Sequence, residues 1–435
     1  PLNNVNAGNH LVNISGNQGG VGYNLAYSER YSEGMTAVVG DETDPFDKVN
    51  FNVGLSGKLT SKINWRLDWN RDDVQADYDN SFPIEQADFK FKTLLDRFSL
   101  NTQYKYLGGS INLNAGYQEN TREFKSSFPL VYVSDNLNID LFNKYILSNN
   151  FYTIVGFQYQ KAKMEADYSP ETSQSDIYLN SVYLDPSGVN LNVGVRYNNH
   201  STYNSHWIYS INPSYSFDLN EDYQMKILTS YSKAFLAPGL YQLYDPTYGN
   251  TDLKPENNLS FEIGTEIQSN KNKLSAVYFN RKENPTLIFD FTKGKFGIYG
   301  NSDKKIIYRG VELAYDFQLL ETVKTRLNYI LTEAREGDLR GIPKHTITGV
   351  MDLPLSEQTN LNLVGQYTGE RMANDSTTLL EAFPLFILQL NHQLKKPNAN
   401  LFVSMFNIFD TKYVIIPQYA SRGRNILGGI SIQLD

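Results

Sequence analysis

The chain has 435 residues, a formal net charge of −8 and no cysteine, which excludes a disulfide framework and a thiolate metal site. No basic stripe interleaved with aromatic residues occurs, so nucleic acid is excluded as a partner. No apolar run approaches the roughly 18 residues of a membrane-crossing helix, so a membrane protein of this sequence must cross with strands. The aromatic share of 13%, with 31 Tyr and 24 Phe, suits the ring-rich girdles of such a protein. Length alone suggests two or three soluble domains, but no linker, charge block or low-complexity tract divides the chain. One architecture over residues 1–435 is the expectation. Pro1 opens it with neither a basic nor an apolar leader region, so a signal peptide is expected to be removed or to lie outside this stretch.

Along the chain, alternating segments recur roughly every 20 residues, beginning with a remnant at Leu2 to Ala7. Val49, Phe51, Val53 and Leu55 form one face against Asn50, Asn52, Gly54 and Ser56. Ile111, Leu113, Ala115 and Tyr117, and later Val189, Leu191, Val193 and Val195, repeat the pattern. Each has an aliphatic face and an Asn, Gly or Ser face, the mark of a strand wet on one side only. Short turns rich in Gly, Asn, Asp and Pro are expected at 17–20, 60–62, 107–109, 148–150, 185–188, 220–222, 269–272, 320–323, 356–359 and 396–398. Longer loops alternate with them, at 36–47, 78–88, 125–134, 167–175, 200–205, 237–257, 292–303, 337–343, 374–384 and 417–424. A soluble sandwich or propeller predicts even loops or a blade repeat, and neither occurs. An all-β, transmembrane antiparallel β-barrel of about 22 strands is therefore expected, short turns on one side and long loops on the other, since closure is the only way strands live in lipid. A lumen that wide needs a plug.

The stretch Gln224 to Gln268 contains one whole unit, two alternating strands around a Pro, Gly, Asn and Tyr-rich connection. Its Ala237, Pro238, Leu240, Leu243 and Tyr244, followed by Gly249, Asn250, Leu253, Lys254, Pro255 and Glu256, resemble the "KAPxLxxLY…GNPxLKPE" segment of the TonB-dependent outer-membrane receptors, with Thr251 in the place of a proline. Gly310, Val311, Glu312 and Leu313 resemble that family's "GVE" strand; Pro343, Lys344 and His345 resemble the start of a late strand; and Asn407, Phe409, Asp410 and Tyr413 resemble its "NLFDxxY" strand. These motifs sit at strand ends and turns and read as architectural.

The resemblance implies an outer-membrane location in a Gram-negative bacterium. It also implies a lipid-bilayer partner and import of a scarce bulky nutrient, a corrinoid or an iron chelate, with energy relayed from the TonB complex. The family's plug and TonB-contacting box are absent from this stretch, and the chain ends in Leu434 and Asp435 where an aromatic residue is usual. Tyr241, Tyr244 and Tyr248, in the long loop, are the candidate ligand-contacting residues. A passive porin is the alternative, and an adhesion or structural barrel comes third.

The early loops are most like those of the cobalamin receptors within that family: Tyr31, Ser32, Glu33, Gly34, then Asp41, Asp44 and Asp47, with Tyr78, Asp79 and Asp88 on the next long loop. Five carboxylates in one neighbourhood repel, and calcium, with its many oxygen ligands, would relieve the repulsion and stiffen both loops. The competing reading is an acidic, solvated surface, because Pro45 and Phe46 interrupt the run and the spacing is not that of an EF-hand. An enzyme is not expected and no covalent cofactor is implied. The five His, at 10, 200, 206, 345 and 392, show no HExxH spacing, there is no GxSxG, and His200 and His206 read as solvated residues at a loop tip.

Overall fold

The computed structural model describes residues 6–38, 40, 42–81, 83–302, 304–337, 339–373 and 378–434. They form one 21-stranded sheet and two small hairpins, and in the large sheet every strand pairs antiparallel with the next strand of that sheet along the chain, from Ala7–Gln18 against Val21–Ser32 to Ala399–Phe406 against Asn425–Ile432. The predicted remnant at 2–7 falls mostly outside the described residues; Ala7 begins the first strand. Among the described residues the first and last strands each pair on one side only. An odd number of alternating strands makes those two run in the same direction, so they cannot pair antiparallel with each other.

All the short turns expected from the sequence join consecutive strands. At Gly19 and Gly20, φ values of +61° and +83° are those of the tight two-residue hairpin whose twist matches its strands, and glycine adopts them without a Cβ clash. The "GVE" glycine has another reason to be glycine. A Cβ on Gly310 would lie 2.0 Å from the carbonyl of Leu331 and 2.3 Å from the Phe279 ring, so the neighbouring strand could not approach.

The two faces of the sheet differ throughout. One carries large apolar side chains that remain exposed, among them Leu25, Leu67, Leu141, Val155, Ile177, Ile211, Ile263 and Leu401. The other carries linked polar side chains, such as Asn24 with Asn52, Asn180 with Asn192 and Gln158 with Asn138. That distribution inverts a soluble protein's, and it is what lipid outside and water inside select.

Four consecutive strands are the longest in the sheet. Ile63–Ser81, Ile84–Tyr106, Gly109–Lys125 and Leu130–Ser148 have 19, 23, 17 and 19 residues and raise the wall on the long-loop side. Along them the alternation changes sign. Trp69, Phe98 and Tyr117 share a rung on the apolar face; the next rung up on the same face is Arg71, Asp96, Glu119 and Asp135, with Arg71 paired to Asp96 at 2.6 Å. On the opposite face of this upper wall stand Tyr78, Phe89, Phe91, Phe124 and Tyr132, linked by ring contacts of 5.1 to 6.4 Å. Below the girdle the outer side is apolar; above it, the inner side is.

Two expectations are corrected here. Residues 78–88 are not a long loop: strands Ile63–Ser81 and Ile84–Tyr106 run to within two residues of each other, with a bulge at Tyr78/Asn80. The "NLFDxxY" likeness is not a strand either, since Asn407 to Tyr413 follow the end of strand Ala399–Phe406. Asn407 and Asp410 take φ values of +50° and +55°. The Asn407 amide bonds the carbonyl and N–H of Thr411, and Asp410 accepts from the N–H of Arg424. This segment braces a loop, the work of short polar side chains that tolerate left-handed backbone.

Candidate functional site

The loop between strands Gln224–Leu236 and Glu256–Gln268 is folded back rather than extended. Its Pro238 and Gly239 lead into a short helix, Leu240–Tyr244, whose first N–H region is held by the Gln242 side chain accepting from the N–H of Gly239 at 2.8 Å. Leu243 and Leu253 are only 4% and 2% exposed; these two buried leucines fasten the loop. Asp245 then organises the turn. Its Oδ1 accepts from the N–H groups of Thr247 and Tyr248, both at 2.9 Å, and its Oδ2 accepts from the Tyr132 hydroxyl of the raised wall at 3.2 Å. The far end is tied by Tyr203, whose hydroxyl donates to the carbonyl of Leu253 at 3.0 Å.

These ties assemble a continuous aromatic vestibule. The Tyr132 ring stands 5.8 Å from Tyr241, Tyr241 stands 6.1 Å from Tyr299, and Tyr299 stands 5.0 Å from Phe289, which also meets Tyr248 at 5.9 Å. Phe289 and Tyr299 belong to a small hairpin, Leu287–Asp290 with Ile298–Asn301, pinned to the loop by Asn250 donating to the Tyr299 carbonyl at 3.0 Å. Burial and then the charge of Asp245 push the Tyr241 phenol well up, and the same causes carry Tyr168 to about 12. Both of these phenols, Tyr241 and Tyr168, stay neutral at physiological pH. Of the three tyrosines singled out from the sequence, Tyr241 and Tyr248 share the cluster. Tyr244, 36% exposed, turns instead toward Tyr203, whose phenol burial and Tyr244 raise to about 12. Tyr132 and Phe289 were not legible as partners, because 113 residues separate Tyr132 from Asp245 and nothing local marks the pairing.

The acidic residues are placed as follows. Asp41 lies outside the described residues, Asp47 is the second residue of strand Phe46–Lys58, and Asp88 lies in strand Ile84–Tyr106. Asp79, 5% exposed, accepts from the N–H of Val38 at 2.8 Å and from that of Ala87 at 2.9 Å, and Asp44 accepts from the N–H of Ala37 at 2.5 Å. Their first role is thus to hold the backbone of Ala37 and Val38 in place, Val38 against the raised wall. Glu42, which the sequence reading passed over, joins them: desolvation, then Asp79, Asp88 and Asp44, raise its pKa, and desolvation also raises that of Asp44. Among the described residues no three of these side chains are arranged to hold a metal ion. His200 is buried rather than solvated, at 5% exposure, its Nδ1 accepting from the N–H of Thr202 at 3.1 Å, while His206 stacks on Phe235 at 4.1 Å.

Residues 1–408 match the family model described as "TonB dependent receptor-like, beta-barrel". The vitamin B12 transporter BtuB of Vibrio cholerae serotype O1 is 26% identical over 207 residues, which make up 46% of this chain and 33% of that protein. The alignment therefore spans about a third of the curated relatives' length. The siderophore receptor PirA from Acinetobacter baumannii superposes with a TM-score of 0.82 over 98% of this chain and 77% of its own, at 14% identity. The copper transporter OprC gives a TM-score of 0.82 at 12% identity, over 98% of this chain and 78% of that one. At such identities the structural likeness speaks for the fold alone, and it agrees with the sheet's two faces. With nearly the whole length accounted for by one model, the chain belongs to the TonB-dependent receptor family and is a β-barrel of that family.

Proposed function

We propose that this chain is the membrane barrel of an outer-membrane active importer that captures a bulky nutrient in the aromatic vestibule and admits it with energy relayed from TonB. The observation that carries the reading is the change of sign along the raised strands. An apolar inner wall above the girdle has no structural use for a barrel filled only with water, whereas it suits a ligand with large apolar and π surfaces. A passive porin is not favoured, since its mouth would be lined for water and small solutes. A corrinoid is favoured over an iron chelate, because the relative found by sequence is a vitamin B12 transporter.

Tyr241 is the residue to test, as among the described residues it alone bridges the wall ring of Tyr132 and the hairpin ring of Tyr299. Ring contacts of this kind are worth about 0.5–1.5 kcal/mol each. Tyr241→Ala in the full-length protein is expected to weaken cobalamin binding by roughly tenfold, and Tyr241→Phe by much less, because the ring contacts outlast the hydroxyl. Equilibrium binding to the purified protein measures this. Unchanged affinity in Tyr241→Ala removes the vestibule from the ligand path; tight binding of a ferric siderophore with none of cobalamin changes the ligand and keeps the site.

The acidic loop belongs to the same reading, with calcium as the ion that would stiffen it. Glu42 and Asp44 have pKa values raised on folding. Their protonated forms therefore favour the packed loop: the stabilisation is full below their ordinary carboxylate range and is lost as pH rises through the raised values. Charge repulsion is then greatest at neutral pH, where a divalent cation has most to relieve. At pH 7.5 calcium is expected to slow protease cutting within residues 33–45 several-fold relative to chelator, and at pH 4.5 to have little effect. Equal cutting with calcium and chelator at pH 7.5 leaves the backbone bonds of Asp79 as the whole explanation of the loop.

A further inference from the structure

Just above the aromatic girdle, on the apolar face, the charges of the wall fall into two kinds. Around the raised strands each cation is answered nearby: Arg71 holds Asp96 at 2.6 Å, and on the next strand Lys161 holds Glu171 at 2.9 Å and Lys163 holds Glu165 at 3.2 Å. Farther along the sheet two of them, Lys233 and Lys282, are not. The register places Lys233, Leu259, Lys282 and Ile307 in one rung, and Tyr231, Phe261, Asn280 and Arg309 in the rung beneath. Lys282 lies on the apolar face, because it continues the row of Leu274 and Tyr278, which are 46% and 38% exposed. Arg309 lies there with the exposed Leu313 and Tyr315. The carboxylates in this sector are Glu333, shared between Lys344 at 2.8 Å and Arg309 at 3.9 Å, and Glu336, in register with Ile307 and held by Lys305 at 3.1 Å. Among the described residues neither Lys233 nor Lys282 is within ion-pair distance of a carboxylate.

Five cations around two acids, on a face that meets lipid, leave positive charge without a partner in the protein. Their stems can lie along the apolar wall while their heads reach the polar layer. Neighbouring strands are about 4.8 Å apart, so Lys233 and Lys282, one strand either side of Leu259, bracket roughly the width of a lipid headgroup. The rings of Phe261, one rung below, and Tyr278, two rungs below, offer contact to the region between headgroup and chains. A guanidinium beside an ammonium suits a phosphate, which accepts from both.

We propose that this sector of the wall, centred on Leu259 and Asn280, is a binding site for the phosphate headgroup of an anionic lipid in the outer leaflet. It rests on the reading that the apolar face lies in a membrane. The site takes one lipid class and orients the barrel against it, while the raised side, with its cations neutralised, takes none.

The test uses the full-length protein released for native mass spectrometry from mixed micelles holding equal phosphatidylglycerol and phosphatidylcholine. The wild type is expected to retain phosphatidylglycerol preferentially. Lys282→Gln with Arg309→Gln is expected to lower that preference roughly thirtyfold, at the strength usual for cations beside an anionic lipid surface. Lys90→Gln with Lys92→Gln, the same charge change high on the raised wall, should leave it as it was. Should the double variant fail to fold, Lys282→Gln alone, at the exposed end of its strand, is expected to give about a fivefold fall. Absence of a preference in the wild type, an unchanged preference in the folded variant, or an equal loss in the raised-wall control overturns the site. A wild type that does not enter zwitterionic vesicles overturns the membrane reading instead, because insertion requires only the apolar face.

Discussion

Replacing Leu141 by arginine is expected to destabilise the folded barrel in vesicles by about 2–4 kcal/mol, the usual penalty for a cation near the middle of the lipid-facing band. Leu141 is 46% exposed and lies between Leu113 and Phe157 on the apolar face, two rungs from Tyr117 on one side and two from Tyr145 on the other. Arginine placed instead at Asn114, on the opposite face and in register with Asp140, meets water and a carboxylate. Its effect is expected to stay within about 0.5 kcal/mol. Urea unfolding of the two variants, each refolded into the same vesicles, makes the comparison. Equal losses at both positions would show that the two faces have been assigned wrongly.

The second large effect is expected inside the barrel. Asp176 is 1% exposed and Asn198 is fully buried. The carboxylate of Asp176 accepts from Arg196 at 2.7 Å, from Asn198 at 2.6 Å and from Gln174 at 3.1 Å, while the same guanidinium donates to Gln158 at 2.6 Å and lies 4.9 Å from the Tyr178 ring centre. Arg196→Met keeps the length of the side chain and removes its charge, stranding the Asp176 carboxylate. Breaking a buried pair from one side typically costs about 3–5 kcal/mol, and a loss of that size is expected here. Adding Asp176→Asn should restore most of it, since no charge is then left unpaired. The same unfolding measurement reads both variants. If the double variant is as unstable as the single one, the network acts through packing and not through charge.

Much of the architecture was written locally. Two-residue periodicity and turn chemistry are properties of short stretches, so strands such as Val189–His200 and turns such as that at Gly19 and Gly20 could be read without knowing what lay beside them. The family motifs were likewise visible as strings, and their architectural reading fits the close approach at Gly310 and the loop brace at Asn407. Where the environment reverses, local reading loses its footing. At the top of the raised wall Asp77 and Lys90 share the outer face while the rings of Tyr78 and Phe89 share the inner one, so a pattern sought as apolar-out broke down and looked like a loop. The segment at Asn407 to Tyr413 suffered the opposite error, because its Phe and Tyr resemble strand residues while its polar side chains bind their own backbone.

The sequence by itself determined the all-β class, the antiparallel order and the two-faced character of the wall, because each follows from alternation and chain order alone. Only the tertiary structure decided the vestibule. Tyr132 meets Asp245 across 113 residues, and Tyr203 holds Leu253 across 50. Such contacts depend on how a long loop folds back over the mouth of a curved sheet, which buried leucines and distant hydroxyls settle together and no single stretch of sequence records.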